Sequence, residues 1–194
     1  MKTTLIAAAL ATFATTFSTA AVAAPEKYVL DASHSQIVFS YSHLGFSTTY
    51  GMFSGFEGEV MFDMENPAES SVSVSMPAQS MLTGWEPRLE HFMSPDFFGG
   101  EGGDMVTFTS TGIEVTGEQT ALITGDLTLN GVTKSVVLDA NLNQVGMHPM
   151  AKKDWAGFNA TTTLTRTDFN LGKFAPYVGD EVSVSISIEA MKAE

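Results

Sequence analysis

Apolar and polar residues alternate with a period of two along most of this chain, and few folds accept that pattern. In Ile37-Val38-Phe39-Ser40-Tyr41-Ser42-His43, one face carries Ile37, Phe39, Tyr41 and His43, while Ser40 and Ser42 share the other. Residues 71–76 set Val72, Val74 and Met76 against serines, and residues 182–188 do the same with Val182, Val184, Ile186 and Ile188. Successive side chains of a strand point to opposite faces, so each run reads as a strand with one core face and one wet face. Further strands are predicted over 52–62, 105–110, 112–116, 121–129, 133–142 and 157–165. Asn130-Gly131 between two alternating runs is the strongest short hairpin signal, because both residues accept positive φ. Thr116-Gly117-Glu118-Gln119 marks a second tight turn. Sequential antiparallel strands joined this way predict an all-β meander closing into an antiparallel barrel of about eight strands, which also removes exposed edges. A two-sheet sandwich is the competing solution.

Two stretches break the alternation. Residues 78–93 space Met81, Leu82, Trp85, Leu89, Phe92 and Met93 like one helix face, and Pro87 suits a helix start. One or two short helices capping an end of the barrel are expected there, followed by a glycine-rich linker over 99–104. A loop is expected over 146–155.

The first residues set the compartment. Lys2 precedes a small, apolar, uncharged run, and Ala21-Val22-Ala23 offers a signal-peptidase pattern. Residues 1–23 read as a cleavable signal peptide and 24–194 as one domain, exported and, in a Gram-negative cell, periplasmic. No second apolar run is long enough to cross a bilayer as a helix. The chain has no cysteine, so disulfides, thiolate metal sites and thiol nucleophiles are excluded. The formal charge of −13 becomes more negative by one without Lys2, which disfavours nucleic acid and anionic lipid head groups as partners. The 14 Phe and 11 Met supply apolar area that either lines a cavity or fills the barrel; composition does not separate the two.

The residues also carry a resemblance. Asp31-x-x-His34-Ser35-x-Ile37-x-Phe39, then His43-Leu44-Gly45-Phe46-Ser47 and Gly51-x-Phe53-x-x-Phe56-x-Gly58, resemble the opening of bacterial YceI-like proteins. The likeness continues through Arg88-x-x-His91, Ser94-x-Asp96-Phe97-Phe98 and Gly125-x-Leu127-Thr128-Leu129-Asn130-Gly131-Val132-Thr133-Lys134. It ends in Gly157-Phe158-x-Ala160-Thr161-Thr162-x-Leu164-x-Arg166-x-Asp168-Phe169 and Val178-Gly179-Asp180-Glu181-Val182. It implies an extended lipocalin-like barrel that binds a long polyisoprenoid, either a prenyl quinone or a polyprenyl phosphate, with no catalytic cofactor. The chain departs from the family pattern at Met93, where a basic residue is usual, at the glycine linker after Phe98, and at Asn170, where glycine is common.

Apolar candidates for lining a cavity are Phe39, Tyr41, Leu44, Phe46, Phe53, Trp85, Leu89, Phe92, Phe97, Phe108 and Phe158. Polar candidates for a head group are His43, Arg88, His91, Arg166 and Asp168, with Lys134 and Lys173 as further cations. No two of the four histidines have i, i+4 metal spacing, so no metal is expected. Three functions compete: a periplasmic carrier of a prenyl lipid, a packed structural or stress-response barrel, and an enzyme using His43 or His91 with Asp168 as acid and base. The acidic net charge, and Met93 where a cation is usual, favour a neutral quinone-like head. The carrier reading leaves room for transient membrane contact, and the chain reads equally well as monomer or homodimer.

Overall fold

The computed structural model describes residues 24–100 and 103–194. The expected signal peptide, 1–23, and two residues of the glycine linker lie outside these. Among the described residues, eleven strands and one α-helix follow in order, beside three short 3-10 turns: β1 (Glu26–Leu30), β2 (Gln36–His43), β3 (Ser47–Ser54), β4 (Glu57–Phe62), β5 (Ser71–Pro77), β6 (Met81–Leu82), α1 (Glu86–Phe92), β7 (Met105–Val115), β8 (Thr120–Leu129), β9 (Val132–Met147), β10 (Asp154–Thr165) and β11 (Glu181–Lys192).

All pairings are antiparallel, and the order β1-β4-β5-β7-β8-β9-β10-β11 closes because β11 also pairs with β1. The result is an eight-strand barrel, which settles the choice against a sandwich. β1 and β2 lie end to end along β11, which pairs with β1 at Lys192, Met191 and Ala190 and with β2 from Ser183 to Ser187. The single strand expected over 52–62 is two, β3 and β4, which continue each other in the same way and are turned at Gly55 with φ +72°. Register places Asn130-Gly131, the β2–β3 turn and α1 at one end. Both ends of the described chain, the β7–β8 turn and the β9–β10 loop lie at the other.

Local chemistry explains the elements. Asn130 and Gly131 adopt φ of 51° and 71°, the two-residue hairpin geometry that their side chains tolerate. Pro87 occupies the first turn of α1, where its missing N–H costs nothing. The segment 105–116, expected as two strands, is one strand bulged between Ser110 and Gly112. The loop expected over 146–155 is shorter, because β9 runs to Met147 and β10 begins at Asp154. β1 and β6 were not visible in the alternation.

The core is distributed around the wall. Tyr28, Leu30, Phe56, Phe62, Ala156 and Ala190 belong to a large buried cluster that extends from the end distant from α1 as far as α1 itself, with Tyr28 edge-on to Phe62 at 5.9 Å. Phe97, Phe169 and Leu171 form a smaller one beside α1. Two aromatic rings lie flat against the wall because the facing residue is glycine. A Cβ on Gly51 would stand 2.2 Å from the Phe39 ring, and one on Gly125 would stand 2.3 Å from Phe108.

Candidate functional site

The inward faces of these strands enclose a cavity of about 980 Å³ that runs most of the barrel's length. Ile37, Phe39, Tyr41 and His43 of β2 line it, as do Val72, Val74 and Met76 of β5 and Val182, Val184, Ile186 and Ile188 of β11. The alternation that predicted a core face therefore faces a cavity along much of its length. The middle is almost wholly apolar, with Phe53, Phe108, Leu127, Leu138 and Phe158 joining the strand residues above. Away from α1, Phe62 and Phe158 meet edge-on at 5.5 Å to floor one side, while Gln119, Thr120 and Asn141 line the other.

Polar groups gather again at the α1 end. Tyr41, His43, Thr49, Arg88, His91 and Arg166 all line it. Tyr41 leads into a run of rings: Phe92 at 6.4 Å, Phe97 5.9 Å beyond it, and His91 5.2 Å from Phe97. Burial pushes the Tyr41 phenol above its ordinary value, against the opposing pull of Thr49, Arg88 and Arg166. At neutral pH it is therefore an uncharged O–H donor.

The two arginines differ. Arg166 donates from Nε to the carbonyl of Gly179 at 2.8 Å, from Nη1 to Leu171 at 2.7 Å and Lys173 at 3.3 Å, and from Nη2 to Val178 at 2.9 Å. Burial lowers its guanidinium from the ordinary value, while Asp180 and Tyr41 oppose that shift. This arginine knits the segment after β10 into the barrel mouth. Arg88 makes one bond, Nη1 to the Thr83 carbonyl at 2.9 Å, and lies 6.0 Å from the centre of the Trp85 ring. Among the described residues neither arginine has a carboxylate within ion-pair distance.

Of the residues expected from sequence, Phe39, Tyr41, His43, Leu44, Phe53, Trp85, Arg88, His91, Phe92, Phe97, Phe108, Phe158 and Arg166 line the cavity. Phe46, Leu89 and Asp168 do not. His43 pairs with Ser47 across the β2–β3 turn, so the inward positions on β3 are odd-numbered and Phe46 faces solvent. Leu89 packs against the large core cluster behind the lining. Asp168 sits exposed on a 3-10 turn, Arg166–Phe169, where strand parity no longer applies. The acid–base partnership of Asp168 with His43 or His91 is thus not assembled at the cavity. The acid that acts on Arg166 is instead Asp180, which accepts from the Thr167 hydroxyl at 2.7 Å. Lys134 is exposed outside the lining, and Lys173 pairs with Asp96 at 3.1 Å. Sequence reasoning missed Phe174 and Tyr177, which line the mouth from a segment without periodicity; its aromatic–proline composition was the available signal.

One cluster outside the cavity holds potential metal ligands. The Asp31, His34 and Glu189 ligand atoms lie within 4.8 Å of one another. Asp31 Oδ2 is already 2.6 Å from His34 Nδ1, and Glu189 Oε2 accepts from the Trp155 indole at 2.9 Å. All three side chains are engaged in these contacts, and the arrangement fits a hydrogen-bonded brace for the β1–β2 break.

Comparisons with known proteins agree with this geometry. The YceI-like domain matches residues 28–190. A UPF0312 protein of Ectopseudomonas mendocina is 41% identical over 167 residues, covering 85% of this chain and 87% of its own. Among solved structures, Burkholderia cenocepacia BcnA superposes with a TM-score of 0.74 at 23% identity, over 82% of this chain and 98% of its own. A polyisoprenoid-binding domain from Saccharophagus degradans, implicated in plant cell wall breakdown, superposes with a TM-score of 0.66 at 14% identity, over 86% and 98%. At those identities the two structures speak for the fold alone. The sequence match across nearly the whole barrel establishes that the chain belongs to the YceI-like family.

Proposed function

We propose that this protein is a periplasmic carrier that encloses the tail of a long polyisoprenoid lipid, with the head group held at the α1 end. The cavity carries the reading: it is elongated, apolar through its middle, and polar where a head group would sit. At about 0.8 kcal/mol per buried methylene-sized group, roughly four isoprene units outweigh the cost of association by the ~8 kcal/mol of a micromolar complex. The polyisoprenoid binding of the Saccharophagus domain is consistent with the same use of the fold.

The mouth favours a neutral, quinone-like head over a pyrophosphate. A pyrophosphate needs several unengaged cations. Here Arg166 is bound to four carbonyls and Lys173 to Asp96, which leaves Arg88. Tyr41 and Arg88 can both donate to a quinone carbonyl. Native mass spectrometry of the exported protein, with tandem fragmentation of what it releases, tests this. A stoichiometric prenyl quinone is expected. A polyprenyl phosphate would overturn the head-group assignment, and a protein that rejects added prenyl lipids would return the barrel to a purely structural role.

A further inference from the structure

The mouth of the cavity is ringed by exposed apolar side chains. Phe46 is 90% exposed, Tyr177 77%, Trp85 61%, Phe174 49% and Leu44 48%. They come from three segments tied into one rim. The Leu44 N–H donates to the Tyr177 carbonyl at 3.1 Å, and Phe174 stands 6.2 Å from His91 of α1, whose N-cap is Trp85. Leu44, Trp85, Phe174 and Tyr177 also line the cavity, so apolar surface continues from the interior onto the outside.

Backbone conformation sharpens the point. Leu44 and Phe174 hold φ of 55° and 67°, a region that large L-residues avoid. Asn or Gly would serve either position better, as Asn does at Asn130 and Asn170. The chain instead places a bulky apolar residue there, exposed, at the mouth. Charge is also arranged. Residues 32–56, which include the whole β2–β3 hairpin, contain no Asp, Glu, Lys or Arg in a protein with 22 acidic residues. The hairpin tip can therefore approach a lipid surface without bringing acidic charge with it.

Resting on the carrier reading, we propose that this rim docks on a phospholipid bilayer, with Phe46 at the leading tip and Trp85 and Tyr177 at head-group depth, so that the cavity opens directly into the membrane. Aromatic residues favour that interface, and exposed apolar patches of this kind mark contact sites. Net acidity makes the attraction apolar rather than electrostatic, so the surface is a zwitterionic one.

Flotation of the exported protein with phosphatidylcholine vesicles tests this, with Phe46→Ser and Tyr177→Ser as variants and Met150→Ser at the opposite end as control. Binding that persists in high salt is expected, with the bound fraction falling about tenfold in Phe46→Ser, as when one large apolar side chain no longer leaves water. Met150→Ser should be unchanged. The exposure of Phe46 means its replacement spares the fold, which a thermal midpoint checks. Equal flotation of Phe46→Ser and the parent overturns the proposal, as does binding that requires anionic lipid or disappears in salt. So does sedimentation showing that Phe46→Ser separates a dimer with no vesicle binding in either form. Parallel mass spectrometry separates the two readings. A lipid-loaded parent that ignores vesicles refutes docking alone; a parent that floats yet rejects added prenyl lipids refutes the carrier.

Discussion

Tyr41 and Arg166 show how one residue can be named from sequence while its task is not. Both were legible as mouth candidates, Tyr41 by parity on β2 and Arg166 by motif. Only the structure reveals that Arg166 holds backbone carbonyls. Arg166→Ala should cost about 3 kcal/mol in urea unfolding, since hydrogen bonds from a charged donor contribute ~1.5–3 kcal/mol each and the freed carbonyls partly regain water. Arg166→Lys should recover only part, lacking the planar fork. A loss below about 1 kcal/mol for the alanine variant, the range of an ordinary surface change, would refute the clamp. Tyr41 answers to pH. Its folded pKa lies above the ordinary 10.0 because burial penalises the phenolate. An unfolded chain ionises first, so the stability tied to the neutral phenol is whole below pH 10 and is lost as pH rises from there through the folded value. The ultraviolet ionisation step that disappears in Tyr41→Phe should therefore have its midpoint above 10; a midpoint at or below that value would contradict it.

Elements were readable where alternation is sustained and silent where pairing alone makes the strand. β2, β5 and β11 could be marked from their serine-faced runs, and the Asn130-Gly131 turn from its two residues. β1 is five residues long and β6 two, too short to show a period. The last residues of β9, Asn143-Gln144-Val145-Gly146-Met147, have no alternation and are strand because β10 supplies partners from Asp154 to Gly157. α1 was expected as a cap and is one. Seven residues with none fully buried cannot sustain a helix alone, so its place over the mouth depends on Leu89, Phe92 and Met93 packing on the main cluster. Its two aromatic residues should then separate. Trp85→Ala, at an exposed N-cap, should leave the unfolding midpoint nearly unchanged yet lower the lipid retained through purification. Phe92→Ala, packed on Tyr41 and Phe97, should lower both. Unchanged lipid content in both variants would remove the cap from any role in retention.

At the scale of the whole molecule, alternation distinguishes inside from outside but not a filled interior from a hollow one. What opens this barrel is pairwise: rings at Phe39 and Phe108 lie against Gly51 and Gly125 on neighbouring strands, and small Ala140 and Ala160 lie inside. Those relations depend on register, which one strand's sequence does not state. The ring of strands has a further consequence. Each of the eight strands is bonded on both sides, and the edge left at β3 and β6 lies toward the α1 end, so a long guest enters and leaves at that end, along the axis. Loading becomes threading: the tail goes in first, the head last, and unloading reverses the order through the same mouth. Exchange time should then grow with the length of the guest even where its affinity does not.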